Sequence, residues 1–134
     1  MEPTPLFDRL DTIILRVRDL ERACAWYAAT LGLRAAFEDP AEGLAVLPVG
    51  DTTSLTLWQL KPGETMPAPD AAGAFPIFAA TDAAAARQVV LQRGARVDEL
   101  VDGPGVRFFS FWDVDGNRLE ACQVLEAAAP AAGA

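Results

Sequence analysis

Histidine is absent from the 134 residues, which removes Ser-His-Asp and Cys-His catalysis together with the commonest transition-metal ligand. Cysteine is almost as scarce. Cys24 and Cys122 are too far apart for a CxxC metal or redox motif and too few for a disulfide framework, so both are expected to fill small spaces in a core or cavity. Positive charge is short too: eleven Lys and Arg stand against nineteen Asp and Glu, for a net charge of -8. That balance opposes nucleic-acid binding, which draws its affinity from clustered cations, and suits neutral or cationic partners. No apolar stretch is long enough to cross a bilayer, and the N-terminus shows no basic segment leading into an apolar run. A cytoplasmic protein with neither membrane nor nucleic-acid partners is the expectation.

What is present can build one ordinary domain, since 51% of the residues are hydrophobic. Leu10 to Val17 is rich in β-branched residues and reads as a strand. Asp19 is a good N-cap for a helix whose apolar positions Leu20, Ala23, Cys24, Tyr27 and Leu31 keep helical spacing up to the stop at Gly32. Strands are expected at Leu33 to Glu38, Leu44 to Val49 and Ser54 to Leu60, with Pro40, Gly43, Gly50 and Asp51 in the turns. Lys61 to Gly73 carries Pro62, Gly63, Pro67 and Pro69, which a helix or central strand does not tolerate, and reads as a connector.

The same plan then recurs. Phe75 to Ala80 reads as a strand, Asp82 as an N-cap, and an Ala-rich helix runs through Arg93 to the stop at Gly94. Further strands fall at Ala95 to Leu100, Val106 to Trp112 and Arg118 to Leu125, the last two joined by the turn Asp113 to Asn117. Asp82 follows Asp19 by 63 residues and Gly94 follows Gly32 by 62. A two-fold internal copy explains this, because neither half could bury its sheet alone. The expected layout is a first module over about 8–60, a connector over 61–73, a second module over about 74–125 and a disordered tail over 126–134.

Leu15-Arg16-Val17-Arg18-Asp19-Leu20-Glu21-Arg22, Trp26-Tyr27 and Leu31-Gly32-Leu33, followed later by Phe111-Trp112-Asp113-Val114-Asp115-Gly116-Asn117-Arg118-Leu119-Glu120, resemble the vicinal oxygen chelate superfamily. That superfamily includes glyoxalase I, extradiol dioxygenases, fosfomycin-modifying enzymes and the bleomycin-resistance binding proteins. The resemblance covers nearly the whole chain and implies an α+β fold: two tandem βαβββ modules forming a curved mixed sheet around a cleft, helices on the outer face. It also implies four corner positions that hold a metal in the metal-dependent members, here Thr12, Thr56, Phe75 and Glu120. Only Glu120 is a good ligand, whereas a catalytic divalent site wants about three His or carboxylate donors. No metal and no other cofactor are therefore expected.

If those corners face inward, strand alternation adds Ile14, Arg16, Ser54, Trp58 and Ile77 to the same concave surface. Pairing Asp113 with Arg118 would set Phe111 opposite Glu120 and Phe109 opposite Cys122, bringing Arg107, Phe109 and Phe111 into the lining. Glu120 could recognise a cationic or hydroxylated ligand, act as a general base with a raised pKa, or simply pair with Arg107 or Arg16. Trp58, Phe109 and Phe111 could stack on a planar ligand or be plain core, while Trp26 and Tyr27 read as helix packing. The resemblance then implies a small-molecule binding protein that sequesters an aromatic or cationic organic ligand, as a homodimer and without a catalytic metal. The alternative is a lyase, isomerase or dioxygenase that uses Glu120 as base or as partial metal ligand. The ligand itself is not legible.

Overall fold

The computed structural model describes residues 2–68 and 73–125, so the expectation for 126–134 lies outside the described residues. The first half runs β1 (Thr12–Val17), α1 (Leu20–Trp26), a π-helical turn (Tyr27–Leu31), β2 (Phe37–Asp39), β3 (Leu44–Val49) and β4 (Thr53–Gln59). The second runs β5 (Ile77–Ala79), α2 (Ala83–Gln92), β6 (Arg96–Val97), β7 (Val101–Gly103), β8 (Val106–Trp112) and β9 (Arg118–Val124). The fold is α+β, with two mixed sheets ordered β1-β4-β3-β2 and β5-β9-β8-β6. In each sheet one parallel pair, β1 with β4 and β5 with β9, accompanies antiparallel neighbours.

Both helices begin on an aspartate whose carboxylate accepts from a first-turn amide, Asp19 from Arg22 N and Asp82 from Ala85 N. Both end at a left-handed glycine, with φ of 70° at Gly32 and 90° at Gly94. The π-turn explains why the two intervals differ by one residue. One extra residue enters α1 between Tyr27 and Leu31, so the caps are 63 apart and the stops 62.

The strand expected over Ala95 to Leu100 is broken. Val97 pairs with Phe111 and Val101 with Phe108, four steps on the edge against three on β8, which is a bulge. Asp98 keeps its amide bond to Ser110 O, and its own carbonyl accepts from Arg87 Nε on α2.

The β8–β9 register differs from the expected one. Ser110 lies opposite Glu120 and Trp112 opposite Arg118. The cause is the turn: Asp113 pairs with Asn117 through Asp113 N to Asn117 O at 3.0 Å, and Gly116 N returns to Asp113 O at 3.1 Å. Three residues rather than four form the loop, closed by Gly116 at φ 85°, the geometry of a type I turn followed by a left-handed residue. A one-residue slip moves every β8 side chain to the other face.

The helices cover one face of each sheet, α1 across β3 and β4 and α2 across β8 and β9. Val17, Leu47, Leu55 and Leu57 are buried under α1, as are Phe109, Phe111 and Leu119 under α2. Each such side chain contributes about 1.5–3 kcal/mol by leaving water.

Candidate functional site

The faces turned away from the helices carry most of the residues singled out from sequence. On the first sheet Thr12 and Thr56 meet directly, their hydroxyls 2.7 Å apart. Ile14 beside them is 50% exposed. Arg16 donates from Nε to Trp58 O and lies 5.3 Å above the Trp58 ring, with Lys61 at 5.4 Å from that ring. Its remaining nitrogens bind Glu64, and that guanidinium is the first cause, before the Lys61 amide, holding the Glu64 carboxyl below its usual range. Ser54 stands opposite Thr12, its hydroxyl given to Asp11 O.

On the second sheet Arg118 is the centre. Its guanidinium lies 4.2 Å from the Phe75 ring, donates to Ser110 Oγ at 3.1 Å, and approaches the buried Glu120 carboxylate at 3.6 Å. Glu120 thus pairs with neither Arg107 nor Arg16. Its partner is two residues away on its own strand, a neighbour that alternation alone could have revealed.

The metal that the resemblance implies does not fit these corners. The hydroxyls of Thr12 and Thr56 serve each other, Phe75 offers a phenyl ring, and the only carboxylate has a guanidinium beside it. A divalent ion there would meet one anionic donor and one like charge. No group of three or more His, Cys, Asp or Glu that could hold a metal occurs among the described residues.

Arg107, Phe109 and Phe111 are corrected in position by the register. Arg107 pairs with Asp102 at 2.7 Å at the sheet edge, while Phe109 and Phe111 turn to the helix side, away from Glu120. There the two phenyl rings enter a different space, the cavity between the two halves.

The halves meet along two seams. One is closed: Arg18 N donates to Asp115 Oδ1 at 3.0 Å, Asn117 Nδ2 to Arg16 O at 3.0 Å, and the Tyr27 hydroxyl to Asp113 Oδ2 at 2.7 Å. Asp113 Oδ1 also accepts from the amides of Asp115 and Asn117, so this turn is tied internally as well. Tyr27 is fully buried. Burial first, then the charge of Asp113 and its hydrogen bond, hold the phenol well above its usual pKa.

The other seam is open. Among the described residues no hydrogen bond joins the β3–β4 turn to Thr81 and Asp82, and a cavity of about 820 Å³ occupies the space. Ile13, Leu33, Val49 and Leu55 wall it from the first half. Phe78, Val90, Phe109 and Phe111 wall it from the second, with Ile77 at the rim. The rings are close, Phe109 to Phe111 at 5.5 Å and Phe78 to Phe111 at 6.3 Å between centroids. Polar groups are confined to Thr53, Ser54, Thr81 and Asp82. Of the residues expected to line a ligand site, Ser54, Ile77, Phe109 and Phe111 reach this cavity. Thr12, Ile14, Arg16, Thr56, Trp58, Phe75, Arg107 and Glu120 do not. Val49, Phe78 and Val90 were not among the expected site residues; comparing the two halves position by position would have exposed them.

The family model described as the Glyoxalase/Bleomycin resistance protein/Dioxygenase superfamily matches residues 9–121. Among solved structures, TnmS3, an antibiotic binding protein from Streptomyces sp. CB03234, is similar with a TM-score of 0.75 and 27% identity, over 90% of this chain and 99% of that one. A putative glyoxalase family protein from Bacillus anthracis gives a TM-score of 0.77 at 20% identity, over 91% and 99% of the two chains. TioX from Micromonospora sp. ML1 gives 0.69 at 23% identity, over 88% and 100%. The last two likenesses speak for the fold alone. No curated protein matches the chain.

Proposed function

Because the chain belongs to the glyoxalase/bleomycin resistance protein/dioxygenase superfamily, we propose that it binds a small organic molecule stoichiometrically and releases it unchanged. The observation that carries this reading is the apolar cavity of about 820 Å³ between the halves, within the size range of drug and metabolite sites and lined by three phenylalanines. Ile77, Phe109 and Phe111 contact the ligand in this reading. The poor fit of a divalent ion at Thr12, Thr56, Phe75 and Glu120 supports binding over metal-assisted chemistry. Likeness to an antibiotic binding protein supports it as well.

A homodimer is part of the same proposal. Ile14, Phe37 and Ile77 are 50%, 57% and 56% exposed on the faces away from the helices, an apolar surface that a second copy would cover. Thr12, Arg16, Thr56, Trp58, Phe75 and Glu120 belong to those faces and would meet the partner or a ligand held between copies. No helix among the described residues is long and apolar enough to cross a membrane.

Native mass spectrometry of protein purified without added ligand, paired with elemental analysis, tests the function. The expected result is an organic adduct that denaturation releases unchanged, with no stoichiometric metal. Metal that survives dialysis together with turnover of a bound compound would replace binding by enzymatic activity.

A further inference from the structure

The internal repeat relates the two seams, so the closed one shows what the open one lacks. Val90 stands 63 residues after Tyr27, and Val49 stands 64 before Asp113. By the same intervals Thr53 is the counterpart of Asn117, Ala79 of Arg16 and Thr81 of Arg18. Of the side chains that close the first seam, Tyr27, Asp113 and Asn117 are replaced in the second by shorter or apolar ones, whereas Asp115 keeps an aspartate, Asp51, as its counterpart. A phenol and its carboxylate acceptor become two isopropyl groups, and the space they would fill remains as cavity.

We infer that the open seam takes a neutral, flat aromatic ring system in the place where the closed seam holds the ring of Tyr27, with polar substituents at the mouth. This rests on the ligand-binding reading above and adds where the ligand sits and of what class it is. Three features fix the class. The inner walls are Val49, Val90 and the Phe78, Phe109 and Phe111 rings, which favour offset or edge contacts with another ring and offer a buried polar atom no partner. At about 820 Å³ the space exceeds one phenol, and Ala121 lines it where the first half has Leu57, so fused or linked rings fit. At the mouth stand Thr53, Thr81 and Asp82 and no cation, which disfavours an anionic substituent; one Asp82 oxygen already caps α2 at Ala85 N.

The test uses N-phenyl-1-naphthylamine, a neutral two-part aromatic that fluoresces in apolar sites, and its anionic relative 8-anilinonaphthalene-1-sulfonate. The intact chain should bind the neutral probe one to one and the sulfonate at least tenfold more weakly. Val90→Tyr, which rebuilds the ring of the closed seam, should weaken the neutral probe at least tenfold. Ala86→Leu narrows the same wall by a smaller change and should do likewise if Val90→Tyr does not fold. Val89→Ser, one residue away on the exposed side of α2, should leave binding as it was.

Tight binding that Val90→Tyr and Ala86→Leu both leave unchanged would overturn the location while sparing the ligand-binding function. Failure of the neutral probe to bind would overturn the ligand class, and the native mass spectrum would still judge the function separately. Binding that appears only after residues 2–8 are removed would also overturn it, since exposed Leu6 and Phe7 would then be the occupants.

Discussion

The phenol of Tyr27 donates to Asp113 Oδ2 at 2.7 Å, tying the π-turn that follows α1 in one half to the β8–β9 turn of the other. Both residues are buried, so the bond is made where water cannot replace it. Tyr27→Phe leaves the carboxylate with its bonds from Asp115 N, Asn117 N and Asn117 Nδ2, and should cost about 2 kcal/mol. Asp113→Ala strands the phenol and Asn117 together and should cost about 3 kcal/mol or more. Urea unfolding of the two variants checks the order; an unchanged midpoint for Tyr27→Phe would mean that the seam does not depend on this bond.

The same phenol makes stability fall at alkaline pH. Its folded pKa is raised well above 10, by burial first and then by Asp113, so the unfolded chain loses the proton earlier than the folded one. The contribution is complete below about pH 10, where the unfolded phenol ionises, and is lost as pH rises through the folded value. Tyr27 is the chain's single tyrosine, so the phenolate absorbance band reports this group alone. The folded chain should show no ionisation at pH 10, and Tyr27→Phe should flatten the alkaline loss of stability. A phenolate band appearing at pH 10 before unfolding would contradict the buried bond.

Much of the architecture was readable because it rests on local signals. Asp19 and Gly32, and again Asp82 and Gly94, cap and stop helices wherever they stand, and the 63-residue interval told of the copy. The one-residue discrepancy between intervals was visible as well; its cause is a π-turn at Tyr27–Leu31, which begins on the residue bonded to Asp113 of the other half. The β8–β9 register was not legible. Asp113 and Asn117 are equally good loop residues, and what draws Asn117 into the ladder is the Asp113 carboxylate gathering its amides and the Tyr27 hydroxyl, 86 residues away. The open-face partners of Thr12 and Thr56 followed from alternation, whereas the cavity lies on the opposite side, toward the helices, where alternation placed no ligand.

The register can be tested through two neighbours on β8. Phe111, 2% exposed, packs under α2, so Phe111→Ala should cost about 3–4 kcal/mol. Ser110 faces Glu120 and accepts one bond from Arg118, so Ser110→Ala should cost about 1 kcal/mol or less. The pairing expected from sequence turns Phe111 toward Glu120, and a mild Phe111→Ala would restore it. Thermal unfolding followed by circular dichroism separates the two.

Divalent metal should have no hold on this fold. An ion bound to the folded chain at a concentration one hundred times its Kd stabilises by about 2.7 kcal/mol, and stripping it would lower Tm by several degrees in a chain of this size. Here the only corner carboxylate, Glu120, already has the Arg118 guanidinium at 3.6 Å, and the two corner hydroxyls satisfy each other at 2.7 Å. Neither a chelator nor excess Zn²⁺, Ni²⁺ or Fe²⁺ should therefore shift Tm by more than about 1 °C. Arg118→Glu removes the cation and sets a second carboxylate on the face of Glu120, so that variant should gain a metal-dependent rise in Tm that the parent chain lacks. A chelator-sensitive Tm in the parent chain, abolished by Glu120→Gln, would show instead that the corner holds an ion despite the guanidinium beside it.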